Sequence, residues 1–145
     1  MKRLILIFFV FISFLSKAQE VNWVTFEDLP TLSRKEAKPI MVFIHTDWCK
    51  YCLMQEHNTF TDSVVVSDLN KNYYCIKLDA ESEKTISFLN RKYSKKGNSH
   101  TLSWILGAKN NQLLYPTTVT LSPQFQITNR WVGYLSREHV FAANY

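Results

Sequence analysis

The sequence is poor in the features that mark repetitive or nucleic-acid-binding proteins. Only three glycines and four prolines occur among its 145 residues, and beyond the first twenty residues there is no repeat or low-complexity tract. Basic residues are scattered, and the one cluster, at positions 91–96, is typical of a solvated face. We therefore expect no nucleic-acid partner. The length suits one domain with a proper core.

Cysteine is also scarce, and its arrangement argues against a closed metal site. The three cysteines are Cys49, Cys52 and Cys75. A structural zinc site needs four ligands, and the sequence holds neither a second CxxC nor a His-x₃₋₅-His pattern. We therefore predict no metal site. An odd number of cysteines leaves one of them outside any internal disulfide, and Cys75, in an apolar run, is expected to be an inert buried thiol.

The first twenty residues, MKRLILIFFVFISFLSKAQE, predict a secretory signal peptide over residues 1–18. Lys2 and Arg3 precede the apolar run 4–15, and small residues stand before a cleavage point after Ala18. The run is shorter than the ~20 residues that span a bilayer as a helix, so an uncleaved anchor is the weaker interpretation. We predict an exported protein, in the periplasm, with no stable membrane insertion after cleavage.

Apolar periodicity predicts an α/β fold for residues 19–145. The predicted strands cover 21–26, 39–45, 73–79, 117–121 and 126–134, and the predicted helical segments cover 27–38, 49–59, 62–70, 83–93 and 137–144. Alternation of strands and helices, with a hairpin near the end, implies a central mixed sheet flanked by helices on both faces.

Residues 94–114 follow neither periodicity, and we interpret them as an insertion. The segment begins with the polar run KKGNSH and continues into TLSWILGAKNNQLL. A short helix is expected at 102–106, ended by Gly107. The insertion would serve as a lid, as a partner-binding element or as decoration.

The chemistry of the chain is concentrated in TDWCKYCLMQE, residues 46–56. Cys49 and Cys52 directly follow a predicted buried strand and begin a predicted helix. Free N–H groups and the positive end of the helix dipole stabilise a thiolate at Cys49 and lower its pKa, and Lys50 adds a nearby positive charge. Cys52, one turn further, can then attack a mixed disulfide formed at Cys49. A disulfide over so short a loop restrains the unfolded chain little, so a purely structural disulfide here would add little stability.

The segment PIMVFIHTDWCKYC resembles the active-site region of the thioredoxin superfamily, where a buried strand is followed by Trp-Cys-x-x-Cys at a helix start. Two later motifs agree with the family: the dipeptide Tyr115-Pro116 before a strand, and Gly133 before the last helix. The resemblance implies a thioredoxin-like fold and a cis bond before Pro116. It also implies a substrate groove lined by Trp48, Tyr115, Pro116 and Gly133.

A closer similarity is to the periplasmic thioredoxin-like domain of transmembrane thiol:disulfide interchange reductases. There a glutamate follows the CxxC by four residues, and a Thr-Phe pair comes next, as at Glu56 and 59–60 here. The similarity implies that Glu56 assists proton transfer to and from Cys52, since i and i+4 share a helix face; a solvated surface acid is the plain alternative. Many superfamily members carry a buried acid six residues before the first cysteine, where this sequence has Phe43.

Together these patterns predict an exported thiol:disulfide oxidoreductase that acts on protein thiols and disulfides. Cys49 would be the nucleophile and Cys52 the resolving thiol, and disulfide exchange requires no bound cofactor. The similarity to reductase domains favours reduction of client proteins, with electrons supplied by a membrane reductase. The alternative is a non-catalytic thioredoxin-like module that holds copper or a client protein, in which Met54, His45 or His57 would supply an added metal ligand.

Overall fold

A computed structural model describes residues 20–142. In chain order the elements are α1 (Leu29–Lys35), β1 (Ile40–His45), α2 (Lys50–Asn58), α3 (Ser63–Asn72), β2 (Tyr74–Asp79), β3 (Ile86–Phe88), β4 (Arg91–Tyr93), β5 (Lys95–Lys96), β6 (Ser99–His100), α4 (Thr101–Gly107), β7 (Thr117–Leu121), β8 (Ile127–Val132) and α5 (Arg137–Ala142). The central sheet has the order β2-β1-β7-β8. β1 and β2 run parallel, whereas β7 is antiparallel to both of its neighbours. The predicted mixed α/β sheet is therefore confirmed.

Two predictions fall partly or wholly outside the described residues. The predicted signal peptide, residues 1–18, is one of them, and the predicted end of the last helix at position 144 is the other. Between residues 20 and 142 no helix is both long and apolar enough to cross a membrane.

β1 explains why the sheet needs helices on both faces, because all six of its residues are buried. Ile40, Val42 and Ile44 belong to one core cluster, which also contains residues of α1 and α4. Met41 and Phe43 belong to a second cluster, with residues of α2, α3 and α5. An unbroken apolar strand of this kind is typical of the centre of a sheet covered on both sides. It carries the chain directly into the turn that begins α2.

The prediction of a helix over 83–93 is wrong, because these residues form the β3–β4 hairpin. Leu89 and Asn90 make its two-residue turn with φ of 50° and 59°, the left-handed pair that matches the twist of a tight hairpin. Ile86 and Phe88 pack toward the core at a spacing of two, as in a strand. Leu89, which a helix would have placed on its apolar stripe, is instead 50% exposed.

The strand predicted over 21–26 is also wrong as an element, since it is reduced to one bridge between Trp23 and Cys75. The amide and hydroxyl of Thr25 both donate to the carboxylate of Asp28, at 3.0 and 2.7 Å. This side-chain turn bends the chain toward α1 before a ladder can extend.

The segment 94–114 contains the small β5–β6 hairpin and α4, which covers the short helix predicted at 102–106. Leu102 and Leu106 are buried in the same cluster as β1 and β7 side chains. Gly107 permits the close approach of α4 to the sheet, because a Cβ at this position would lie 2.7 Å from Cδ1 of Ile44. α4 is thus packed into one face of the sheet.

Candidate active site

The two cysteines lie at the first turn of α2, immediately beyond β1. Cys49 has the extended backbone of a helix N-cap, and its Sγ accepts a hydrogen bond from the backbone N–H of Cys52 at 3.1 Å. The two sulfur atoms form a disulfide, with the Cα atoms 5.2 Å apart. Cys49 is 5% exposed and Cys52 is fully buried, so of the two cysteines only Cys49 keeps any solvent-accessible surface. After reduction, the N–H group of Cys52 and the helix dipole would stabilise a thiolate at Cys49.

Two aromatic side chains, those of Trp48 and Tyr115, lie beside the disulfide. Trp48 is 67% exposed, and its ring lies edge-on to that of Tyr115 with the centroids 5.9 Å apart. The indole Nε1 donates to the carboxylate of Glu81 at 3.0 Å, which fixes the ring in this position. Tyr115 packs against the core cluster that contains both cysteines. Burial raises the pKa of Tyr115, so its phenol stays neutral at physiological pH.

The loops that lead into β7 and out of β8 are joined by a hydrogen bond next to these two aromatic rings. The Tyr115–Pro116 peptide bond is cis, and Pro116 is buried. Gly133 has φ of 97° and donates its N–H to the carbonyl of Pro116 at 2.7 Å. No atom would obstruct a Cβ at Gly133, so the backbone angle itself favours glycine there. The four residues predicted to line a groove thus form two linked pairs, Trp48 with Tyr115 and Pro116 with Gly133.

Glu56 lies one turn after Cys52 and forms an ion pair with Lys77 of β2. Its Oε2 is 2.5 Å from the ammonium nitrogen, and the two side chains are 27% and 33% exposed. Glu56 is therefore neither a freely solvated acid nor a buried one. Phe43 is fully buried and lies opposite Lys77 in the β1–β2 register. β1 therefore has no acidic residue opposite Lys77, and the carboxylate that pairs with Lys77 comes from α2.

His45 adds a neutral titratable group close to this ion pair. It ends β1 and is buried. Burial lowers its pKa, and the positive charge of Lys77 lowers it further against the opposing carboxylates of Glu56, Asp79 and Asp47. The imidazole is therefore uncharged at neutral pH.

The two other candidate metal ligands, Met54 and His57, are half-buried and exposed respectively. Within residues 20–142 no three His, Cys, Asp or Glu side chains are grouped so that they could hold a metal ion.

Gln55 is a site residue that sequence reasoning missed. It is fully buried on α2, three residues after Cys52. Its amide bridges Thr118 of β7 and the backbone of Leu135, at 3.2 and 2.9 Å. The available signal was a glutamine on the same face of the predicted helix as Cys52, where an apolar residue is the usual choice.

Cys75 lies apart from this chemistry in β2. It is 1% exposed, and burial raises the pKa of its thiol to about 12. The thiol therefore stays protonated at physiological pH, which makes it a poor nucleophile.

Comparison with known proteins places the chain in a family. A family model described as "Thioredox_DsbH: Protein of unknown function, DUF255" matches residues 12–128. The chain belongs to this family. The part of this DsbH-type chain that matches includes β1, the CxxC turn and the Tyr115–Pro116 loop. No functionally curated protein matches the sequence.

Solved structures similar to this DsbH-type chain have the thioredoxin fold. A protein described as "DsbH Oxidoreductase" matches with a TM-score of 0.61 at 14% identity, over 88% of this chain and 84% of that one. A thioredoxin from Thermus thermophilus gives 0.62 at 16% identity, over 86% and 84%. A disulphide isomerase from Xylella fastidiosa Temecula1 gives 0.51 at 15% identity, over 81% and 73%. The chain is thus a thioredoxin-superfamily protein with a CxxC pair at bonding distance.

Proposed function

We propose that this protein is an exported thiol:disulfide oxidoreductase that reduces disulfides in client proteins. The observation that carries the proposal is the Cys49–Cys52 disulfide at the first turn of a nine-residue helix, directly after a fully buried strand. This arrangement gives the two cysteines unequal roles, because only Cys49 keeps any solvent-accessible surface. A small loop closed in this way is suited to repeated opening and closing by exchange.

In the first step the reduced protein attacks a client disulfide. The Cys49 thiolate, stabilised at the helix N-terminus, forms a bond to one client sulfur while the client S–S bond breaks. The other client sulfur leaves as a thiolate and takes up a proton. The product is a mixed disulfide between Cys49 and the client.

In the second step Cys52 resolves this intermediate. Its thiol loses a proton, the resulting thiolate bonds to Sγ of Cys49, and the second client sulfur departs. The client has then gained two electrons and two protons, and the Cys49–Cys52 disulfide has re-formed. We assign the removal of the Cys52 proton to Glu56, which lies on the same face of α2 and remains partly open to solvent.

The groove that receives the client is assigned to Trp48, Tyr115, Pro116 and Gly133. The exposed indole and the neighbouring phenol ring offer an apolar surface to an extended polypeptide. The Pro116 and Gly133 loops, joined by their 2.7 Å hydrogen bond, form the adjoining floor.

Export and direction are supported by the leader and by the comparisons. The apolar run at 4–15 and the small residues before position 19 suit a secretory signal, which would place the protein in the periplasm. Relatives of similar fold include proteins named as an oxidoreductase and a thioredoxin. A protein that reduces clients in an oxidising compartment needs a thiol donor to reopen its own disulfide, and a membrane reductase fits that need.

Single-cysteine variants test the proposed roles. Cys52→Ser, reduced beforehand, should accumulate a covalent complex with a client that contains disulfides, such as insulin, and this complex should be stable in denaturant and released by dithiothreitol. Cys49→Ser should form no such complex, and the buried Cys75→Ala is the matched control that should behave as wild type. A complex formed by Cys49→Ser, or by none of the variants, would contradict the assignment of Cys49 as nucleophile.

A further inference from the structure

Gln55 occupies a position where a polar side chain is costly unless both ends of its amide are used. It is fully buried between α2 and the sheet. Its Nε2 donates to Oγ1 of Thr118 at 3.2 Å, and its Oε1 accepts from the backbone N–H of Leu135 at 2.9 Å. A buried amide of this kind is satisfied only while all three segments keep their present places.

The backbone of Leu135 depends on α2 for both of its hydrogen bonds. Leu135 lies between the end of β8 and the start of α5 and belongs to neither element. Its N–H donates to Gln55, and its carbonyl accepts from the hydroxyl of Thr59 at 2.8 Å. Gln55 and Thr59 are four residues apart, so they face the same side of the helix. Together they clamp one buried residue of the connection to α2.

The clamp leads directly to the two loops of the proposed groove. Thr118 comes two residues after Pro116, and Leu135 comes two residues after Gly133. Gly133 in turn donates to the carbonyl of Pro116. The hydrogen bonds therefore close a ring from the helix that carries the cysteines, through both loops, and back to the same helix.

We propose that Gln55 is a positioning residue that sets the place of the Pro116 and Gly133 loops relative to the Cys49–Cys52 pair. The consequence is selectivity for polypeptide disulfides over small ones. A polypeptide must lie across both loops while its sulfur meets Cys49, whereas a small disulfide needs access to the sulfur alone. Small displacements of a binding surface can cost on the order of 10²-fold in rate when reactants must be aligned. This inference rests on the proposed function and names the residue that gives the same site its preference.

The test compares two substrates across matched variants. Gln55→Met keeps the size of the side chain but leaves the amide of Leu135 and the hydroxyl of Thr118 without their partner. Gln55→Glu is the conservative variant, since burial favours its protonated carboxyl group, which can accept from Leu135 and donate to Thr118 as the amide does. Tyr74→Phe is the control, because it removes a hydroxyl that lies 3.1 Å from the carbonyl of Leu32 and 2.9 Å from that of Glu36, on the opposite face of the sheet.

Each variant is assayed for kcat/KM with insulin and for its rate with 5,5′-dithiobis(2-nitrobenzoate). Gln55→Met should lower kcat/KM for insulin about tenfold or more while the rate with the small disulfide changes less than twofold. Gln55→Glu should recover most of the insulin preference, and Tyr74→Phe should keep all of it. If Gln55→Met is too unstable to assay, Thr59→Val removes one bond of the clamp and should shift the ratio in the same direction by a smaller factor.

Two results separate failure of this inference from failure of the proposed function. A wild-type protein that exchanges with neither substrate overturns both. An active wild type, with Gln55→Met and Thr59→Val keeping the wild-type ratio of insulin to small-disulfide rates, overturns the positioning role alone. The same ratio shift in Tyr74→Phe would also overturn it, because the effect would then follow from lost stability.

Discussion

Replacing Glu56 by glutamine should uncouple the two chemical steps of the exchange. The variant keeps the length and hydrogen-bonding capacity of the side chain but removes the base assigned to Cys52. General acid–base catalysis by a positioned side chain contributes about 10²–10⁴-fold to a rate. Because Glu56 is 27% exposed, water can partly replace it, so we expect the lower end, about 10²-fold, in the resolving step alone.

The ion pair with Lys77 provides the matched control. Glu56→Gln and Lys77→Met both abolish it, but only Glu56→Gln removes the carboxylate. Since both partners are roughly one-third exposed, loss of the pair should cost no more than about 1 kcal/mol of stability. A 10²-fold slower step corresponds to about 2.7 kcal/mol of activation free energy, which this loss cannot explain.

Reaction of the reduced protein with 5,5′-dithiobis(2-nitrobenzoate) separates the steps, because each of them releases one coloured thiolate. In Glu56→Gln the first release should keep the wild-type rate, and the second should be about 10²-fold slower. In Lys77→Met the second release should stay within about threefold of wild type. Equal slowing in both variants, or a second release in Glu56→Gln within threefold of wild type, would refute the assignment of Glu56 as the proton acceptor.

Three further predictions test the fold that holds the site. Leu89→Gly should stabilise the protein by up to about 1 kcal/mol in urea unfolding, because glycine relieves the φ of 50°, whereas a helix there would give the opposite sign. Asp62→Ala should lower Tm more at pH 7 than at pH 3. Hydrogen bonds from the backbone of α3 lower the pKa of Asp62, so its contribution is present above pH ~4 and is lost as the pH falls further; an equal deficit at both pH values would contradict this. Gly107→Ala should destabilise by about 1–3 kcal/mol, since its methyl group would lie 2.7 Å from the side chain of Ile44, and an unchanged urea midpoint would contradict the close packing of α4.

The parts of the fold that sequence predicted well are those in which one periodicity dominates. The apolar run at 39–45 gave β1 because a strand buried on both faces has no competing pattern. The hairpin of β7 and β8 followed from two β-rich runs around a turn containing Pro123. The prediction of a helix over 83–93 was wrong because Ile86, Leu89 and Tyr93 match the spacing of a helical apolar stripe by coincidence. A turn of two non-glycine residues in left-handed conformation leaves little trace in a sequence.

Within the candidate site, the sequence identified the two reactive cysteines but not the contacts that position the side chains of Glu56 and Gln55. The spacing of Cys49 and Cys52 already indicates a redox pair at a helix start. The partner of Glu56 is Lys77, which is 21 positions away, and the partners of Gln55 are still more distant along the chain. Such contacts depend on strand register and helix placement, which a single sequence does not specify.

The redox equilibrium of Cys49 and Cys52 tests the central claim most directly. The protein is brought to equilibrium with glutathione buffers of graded potential, its thiols are trapped by alkylation, and the alkylated cysteines are counted by mass. We predict a reversible two-electron transition confined to Cys49 and Cys52, near the thioredoxin end of the range at about −270 mV, with Cys75 unchanged throughout. A midpoint near −120 mV would contradict the proposed direction of electron flow, and the absence of any two-electron transition would contradict the oxidoreductase function itself.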